Sequence, residues 1–214
     1  MLVLLHTSPV HVPVFDALRD AGHPGVPLRH LVAEELLARA RAEGPEAVAA
    51  EIRAVLAPAV AGGASAVLCT CSTIGDVAEK AGPALGVPVL RVDRPMAEAA
   101  AAAGRVVVVA ALESTLEPTV ALIREAAAGR PLELRTVLVE GAWERFEAGD
   151  RDGYLDAVAA AVDAVTEAGG AGVIVLAQVS MAEAAGRVRG AVPVLAGPAT
   201  GLAAAVAVMA AAGR

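Results

Sequence analysis

The chain has few aromatic side chains, a single lysine and almost no side-chain amides. Aromatic residues make up 2% of its 214 residues, Lys80 is the only lysine, Gln178 is the only glutamine, and asparagine is absent. A Schiff-base mechanism or a phosphate-binding loop would therefore have to use Lys80. The glycine spacing matches neither a phosphate loop nor a dinucleotide-binding fingerprint. These observations argue against both classes of nucleotide-binding site.

Basic clusters and a disulfide framework are also missing. The 17 basic and 24 acidic side chains give a formal charge of −7, with no run of Lys or Arg, so we expect no nucleic-acid partner. Cys69 and Cys71 are next-but-one neighbours, which do not bridge easily. Since no four-ligand Cys/His cluster exists, a structural zinc site is not expected either.

Long hydrophobic runs are absent. Residues 1–6 are too short for a signal peptide and lack its basic flank. The most apolar stretch, residues 202–213, falls short of the roughly 18 residues that a membrane span needs. We therefore expect a cytoplasmic protein without a membrane partner.

What the chain does contain is an alternation of short apolar runs with longer, Ala-rich amphipathic segments. The runs predict strands at residues 2–6, 66–70, 89–92, 105–110, 133–139, 173–177 and 192–195. The amphipathic segments predict helices at 14–21, 30–42, 45–61, 74–81, 96–103, 116–127, 152–168, 181–187 and 199–212. Strands that alternate with helices favour parallel sheets.

The two halves of the chain repeat one pattern. Strand 66–70 runs into Cys71-Ser72-Thr73, and strand 173–177 runs into Gln178-Val179-Ser180. The strands that open each half lead to Thr7-Ser8 and to Ser114-Thr115. We therefore predict an α/β protein of two pseudosymmetric lobes, each a mostly parallel sheet flanked by helices, with the active site in the cleft between them. Residues 1–96 plus 197–214 form the Cys71 lobe, and residues 97–196 form the Gln178 lobe.

Cys71 is the strongest candidate for a catalytic residue. It lies where a buried parallel strand ends and a helix begins, which is where open α/β sheets bind ligands. The N-terminus of a helix favours a thiolate. The alternative is a buried structural cysteine, and that interpretation suits Cys69, which lies inside the strand.

Gln178 occupies the corresponding point of the second lobe. Its amide can donate hydrogen bonds to a carboxylate or an enolate-like oxygen, or it can cap loose backbone groups at the strand end. The loops that carry hydroxyl groups, Thr7-Ser8, Ser72-Thr73 and Ser114-Thr115, favour anion binding as a set, although each one alone is also a common helix cap. We take as candidate substrate-binding residues Thr7, Ser8, Ser72, Thr73, Ser114, Thr115, Val179 and Ser180.

Other polar residues have simpler interpretations. His6 and His11 flank the first loop and can assist proton transfer, although a lone histidine near a strand end is more often structural. Glu113 is interpreted as a solvated charge at a helix start. Asp150 and Asp152 also indicate a helix start, because the later bidentate Glu of a calcium loop is missing.

These residues together resemble the aspartate/glutamate/hydantoin racemase superfamily, over most of the chain. Val67-Leu-Cys-Thr-Cys71-Ser-Thr-Ile-Gly75 is similar to the strand, catalytic Cys and Thr of that family, with Ser72 where Asn is usual. Val173-Ile-Val-Leu-Ala-Gln178-Val-Ser-Met-Ala182 is most similar to the second motif of hydantoin racemases. Supporting stretches are His6-Thr-Ser-Pro9, Val92-Asp-Arg-Pro-Met96 and Leu112-Glu-Ser-Thr-Leu-Glu-Pro118.

The resemblance implies a cofactor-free reaction at a carbon next to a carboxylate or carbonyl. In such racemases two cysteines act as base and acid, and Cys71 takes the first role here. Gln178 stands at the second position, and an amide cannot shuttle a proton at neutral pH. Ala111 stands where a substrate-binding Thr is common, and Thr7 where glutamate racemases carry Asp.

Three functions remain open from the sequence. The first is a racemase or isomerase acting on a small carboxylate through Cys71, without a cofactor or metal. The second is a single-cysteine decarboxylase or lyase of the same superfamily, which Gln178 in place of a second thiol would suit. The third is a non-catalytic protein that binds a small acid. The resemblance is also compatible with a homodimer, although the Ala-rich helices show no distinctive interface stripe.

Overall fold

The computed structural model describes residues 1–212; Gly213 and Arg214, which end both the predicted first lobe and the most apolar stretch, lie outside the described residues. The chain divides into two compact units. The first contains Met1–Arg94 together with the chain from Pro198 onward, and the second contains Pro95–Gly197. The chain thus leaves the first unit, builds the second and then returns.

The first unit is built on four parallel strands in the order β2-β1-β3-β4. These are β1 (Leu2–His6), β2 (Leu28–Val32), β3 (Ala66–Cys69) and β4 (Val89–Arg91). The helices are α1 (His11–Gly22), α2 (Glu34–Glu43), α3 (Ala49–Ala61), α4 (Ser72–Lys80), α5 (Gly82–Leu85) and α10 (Gly197–Ala212). A 3-10 segment, Pro45–Val48, precedes α3.

The second unit has the equivalent strand order, β6-β5-β7-β8, and all of its strands are also parallel. Its strands are β5 (Arg105–Ala110), β6 (Glu133–Leu138), β7 (Val173–Leu176) and β8 (Val194–Ala196). Its helices are α6 (Arg94–Ala103), α7 (Leu116–Ala127), α8 (Ala142–Glu147) and α9 (Arg151–Ala168). Two 3-10 segments, Glu113–Thr115 and Val179–Arg187, follow β5 and β7.

The central strands of both sheets are almost wholly apolar because helices cover both of their faces. Every residue of β1, β3 and β7 is buried. On one face of the first sheet, Val3, Leu5, Val67 and Cys69 pack against α2, α3 and α4. The prediction of an α/β protein with two lobes, each a parallel sheet flanked by helices, is confirmed.

One predicted element is wrong. The sequence indicates a helix over residues 30–42, but Leu28–Val32 forms the edge strand β2 and the helix begins only at Glu34. β2 is half-exposed and carries Arg29 and His30, so it lacks the continuous apolar run that marks the central strands. No helix within residues 1–212 is both long enough and apolar enough to cross a membrane.

Candidate functional site

Cys71 lies at the junction between β3 and α4. It is the N-cap residue of α4, with extended backbone angles (φ −107°, ψ 117°), and its thiol makes no capping hydrogen bond within the described chain. The side chain is half-buried and packs against the apolar cluster of the first unit. A thiol in this position lies beside the positive end of the α4 dipole while it keeps access to solvent.

Cys69 is a different kind of residue. It is completely buried in the first core, and its Sγ donates a 3.6 Å hydrogen bond to the carbonyl oxygen of Cys71. Burial raises the pKa of the Cys69 thiol, and the neighbouring Cys71 raises that pKa further. The interpretation of Cys69 as a core residue is confirmed.

A buried ion pair lies under the first turns of α4. The Arg91 guanidinium donates to both carboxylate oxygens of Asp93 over 2.9 and 3.0 Å, and the two side chains are only 3% and 2% exposed. Arg91 also lies against Gly75, where an added Cβ would be 3.0 Å from Arg91 Nε. The absence of a side chain at Gly75 therefore lets this ion pair support the helix that follows Cys71. Neither Arg91 nor Asp93 is among the site residues that the sequence predicts, although Asp93 lies in one of the stretches that support the family resemblance.

The first unit brings two hydroxyl-bearing segments to one edge of its sheet. β1 and β3 are neighbouring parallel strands, so Thr7-Ser8 and Ser72-Thr73 leave the sheet at the same end. Thr7, Ser72 and Thr73 are buried, and Ser8 is half-exposed. Thr200, in the first turn of α10, is exposed.

Three of the four histidines of the chain gather beside these segments. His6 Nδ1 lies 2.8 Å from the hydroxyl oxygen of Thr70, and His6 Nε2 lies 2.8 Å from Nδ1 of His30. The His11 ring centre is 6.3 Å from that of His6, and both of its nitrogens are buried without a partner among the described residues. Burial lowers the pKa of His6 to about 3, with a smaller effect of His30 and His11, and lowers that of His11 to about 4. Sequence reasoning singled out His6 and His11 but missed His30 and Thr70.

In the second unit, Gln178 occupies the position that corresponds to Cys71. Each residue lies two positions after the end of its strand, β7 or β3, and each is the extended N-cap of the following helical segment. The Gln178 side-chain oxygen accepts hydrogen bonds from the backbone nitrogens of Ala111 (2.7 Å) and Leu112 (3.1 Å). Two donors on the oxygen fix the orientation of the amide, so its NH₂ group points away from the Ala111–Leu112 turn.

The remaining candidates of the second unit differ in their bonding. The Ser114 hydroxyl is buried without a hydrogen-bond partner in the described part of the chain. Ser180 is hydrogen-bonded to the Tyr154 hydroxyl over 2.8 Å, and burial raises the pKa of Tyr154. Thr115 and Val179 are buried, whereas Glu113 is exposed.

Two further observations concern the acidic side chains and other metal-binding residue types. Asp150 caps α9, where its carboxylate accepts from the backbone nitrogen of Gly153, so this segment is the helix start that the sequence indicates. Within residues 1–212, no group of three or more His, Cys, Asp or Glu side chains is arranged to hold a metal ion.

Comparison with solved structures shows the same fold over nearly the whole chain. Glutamate racemase from Thermus thermophilus is 19% identical with a TM-score of 0.69, and the match covers 99% of this chain and 81% of that one. Allantoin racemase from Klebsiella pneumoniae is 17% identical with a TM-score of 0.64, covering 98% and 87%. A double mutant of arylmalonate decarboxylase is 18% identical with a TM-score of 0.62, covering 97% and 91%.

A search of curated proteins found no match. The model of the Asp/Glu/hydantoin racemase family, however, matches residues 11–205. This range contains the β3–α4 junction with Cys71 as well as the β7 end with Gln178. With most of its length matched, the chain belongs to the Asp/Glu/hydantoin racemase family.

Proposed function

We propose that the protein is a cofactor-independent enzyme that acts at the carbon next to the carboxylate or carbonyl of a small acid. Cys71 exchanges the proton, and Gln178 holds the oxygen on which negative charge develops. The observation that carries the proposal is the fixed amide of Gln178, whose oxygen is bound by the nitrogens of Ala111 and Leu112. Family membership supports the substrate class.

The position of Cys71 suits proton transfer to and from carbon. As a thiolate it takes the α-proton, and the electron pair of the C–H bond moves into the carboxylate or carbonyl to form an enediolate or enolate. The resulting thiol then returns a proton to the carbon. The half-buried N-cap position places the sulfur beside the positive end of the helix dipole and within reach of solvent.

Gln178 serves as a hydrogen-bond donor. Because its oxygen is already bound by two backbone N–H groups, the group that it can offer a ligand is the NH₂, which only donates. A donor of this kind stabilises a developing oxyanion, and the loss of one such donor costs about 2.7–4 kcal/mol in known oxyanion holes. Gln178 is therefore an anion-binding group at the position where a second acid/base residue would stand.

The hydroxyl-bearing segments supply further contacts to the substrate. We assign this role to Thr7, Ser8, Ser72, Thr73, Ser114, Thr115, Val179 and Ser180. Ser114 offers the most direct support, because its buried hydroxyl has no partner among the described residues. A buried polar group without a partner costs about 1–3 kcal/mol, which a bound carboxylate would offset.

Hydrogen exchange in deuterated water tests the proposal. The protein is incubated with amino acids, hydantoins and 2-substituted acids, and deuterium at the α-carbon and chirality are both followed. With one thiol, exchange should proceed faster than inversion, and Cys71→Ala should abolish both. Cys69→Ala is the matched control, since it removes the buried thiol beside the same turn and should retain exchange. The absence of Cys71-dependent exchange and inversion across the panel would refute this function.

Decarboxylation is the second candidate, and Gln178 in place of a second thiol favours it. The bond to one carboxylate of a substituted malonate breaks, carbon dioxide leaves, and the electron pair remains as an enediolate. The Cys71 thiol then protonates the carbon, and water restores its proton. Carbon dioxide release that is lost in Cys71→Ala would establish this reaction. Binding of an acid without exchange or carbon dioxide release, retained in Cys71→Ser, would instead identify a binding protein.

A further inference from the structure

We propose that His6 is a positioning residue, which with His30 and Thr70 holds the turn that carries Cys71. The network crosses three strands of the first sheet, since His30 lies on β2, His6 ends β1 and Thr70 follows β3. Its relevance to turnover rests on the proposed function of Cys71. Its geometry, however, can be tested without any substrate.

The directions of the hydrogen bonds in the network follow from the bond at one end of it, between Thr70 and Leu5. The Thr70 hydroxyl donates to the Leu5 carbonyl over 3.1 Å, because a carbonyl oxygen can only accept. The single hydroxyl proton is then used, so His6 Nδ1 must donate to Thr70. In a neutral ring His6 Nε2 therefore accepts, and Nδ1 of His30 donates to it. His6 is thereby fixed as the Nδ1–H tautomer, and Nδ1 of His30 carries a proton.

The network ends one residue before Cys71. Two groups of Thr70 donate to the Leu5 carbonyl: the backbone nitrogen over 3.0 Å and the side-chain hydroxyl. His6 is held in turn by its own carbonyl oxygen, which accepts from Ala33 over 2.9 Å. Main-chain and side-chain hydrogen bonds of Thr70 therefore both hold the backbone that leads into Cys71.

The second unit shows that the fold does not need these side chains. The strand registers make Ala110 and Ala177 the counterparts of His6 and Thr70. The main-chain bond is kept there, from the Ala177 nitrogen to the Val109 carbonyl over 3.0 Å, but alanine side chains add nothing to it. Within residues 1–212, these side-chain hydrogen bonds therefore belong to the unit that carries the candidate catalytic thiol.

Burial, with a smaller effect of His30 and His11, keeps the His6 ring neutral. His30 faces it from β2, and His11 faces it from α1. Asp16, also on α1, lies 3.4 Å from Nε2 of His30 and 3.2 Å from Arg19. Burial lowers the pKa of His6 well below its usual value. Protonation at His6 Nε2 would set two N–H groups against each other and break the bond to His30.

The test compares variants that keep or remove one donor. Asn at position 6 can place its amide nitrogen where Nδ1 lies, whereas the longer side chain of Gln places its amide near Nε2. His6→Asn should therefore retain the bond to Thr70, and His6→Gln should lose it. Thr70→Ser keeps the hydroxyl, and Thr70→Val removes it with little change of shape. His23→Asn is the control, since His23 lies at the end of α1 outside the network.

Two measurements are made on each variant. The first is the rate of iodoacetamide alkylation of Cys71, followed by mass spectrometry. We expect about tenfold slower alkylation in His6→Gln and Thr70→Val, the equivalent of one hydrogen bond, with rates near wild type in the other three variants. The second is the ¹⁵N NMR spectrum of the histidine rings, which should show the Nδ1–H tautomer for His6.

An Nε2–H tautomer at His6 would overturn the proposal. So would alkylation in Thr70→Val that is unchanged or faster, or equal slowing in Thr70→Ser and Thr70→Val. Circular dichroism restricts the comparison to folded variants, and if His6→Gln fails to fold, the Thr70 pair and the wild-type tautomer of His6 still decide. Slower alkylation with no turnover of any acid in the wild type would refute the proposed function while it upholds the positioning role.

Discussion

The side-chain oxygen of Gln178 lies 2.7 Å from the backbone nitrogen of Ala111, 67 positions earlier in the sequence. With the second bond, from Leu112, this contact ties the end of β7 to the end of β5. The amide thus has two separate tasks: its oxygen caps a turn, and its nitrogen remains a donor. Substitutions at position 178 can separate them.

Gln178→Glu should keep the cap and lose the donor. A carboxylate accepts from Ala111 and Leu112 as the amide oxygen does, but it repels an anionic substrate. We expect kcat/KM to fall about 10²–10³-fold, as for removal of an oxyanion-hole donor. Stability in urea should stay near that of the wild type. Gln178→Ala is the comparison, since it leaves two backbone N–H groups without acceptors and should lose about 1–3 kcal/mol. Equal activity in Gln178→Glu and wild type would contradict the donor role.

Gln178→Cys should supply a second acid/base group. Because Cys71 and Gln178 occupy equivalent strand-end positions, a thiol at 178 gets the same extended N-cap setting. We expect inversion at the α-carbon to rise relative to deuterium exchange, measured by chiral chromatography with mass detection. Gln178→Ser is the control, as it is equally small but carries no thiol. A ratio of inversion to exchange that does not change would contradict a role of position 178 in the reaction.

The buried histidines should make stability depend on pH. The pKa of His6 is about 3 and that of His11 about 4 in the fold, against about 6.5 when unfolded, so the unfolded chain binds protons more tightly. Their contribution is complete above pH 6.5 and is lost as the pH falls toward 4 and then 3. The free energy of unfolding should drop by about 1.4 kcal/mol per pH unit for each histidine. Urea unfolding between pH 7 and 5 measures this slope. His11→Leu should roughly halve it.

Removing Asp93 should destabilise the first unit. Asp93→Ala leaves the buried Arg91 without its bidentate partner, which typically costs about 3–5 kcal/mol. Replacing both residues, as Arg91→Met with Asp93→Leu, should recover most of that loss, because no buried charge remains. Urea denaturation of the single and double variants makes the comparison. A double variant that is less stable than Asp93→Ala would contradict the explanation that the unpaired buried charge of Arg91 causes the loss of stability.

The sequence was sufficient for the central strands and the positions of both strand-end residues. β1 and β5 begin and end where their apolar runs predict, since strands covered on both faces are apolar throughout. The strand β2 was not predicted because an edge strand is covered on only part of its surface, and because Arg29 and His30 interrupt its apolar run. The bonds of His6 to Thr70 and of Gln178 to Ala111 span 64 and 67 positions, so they depend on strand register. No local pattern encodes such contacts.

The complete burial of Cys69 makes the protein convenient to label. Of its two sulfhydryls, only that of Cys71 reaches solvent. A maleimide dye or spin probe applied briefly to the native protein would attach at one site, directly beside the proposed reaction centre. Because the label occupies the proposed catalytic thiol, binding of an acid could be detected as slower attachment of the label, followed by fluorescence or by electron paramagnetic resonance without engineering the chain first.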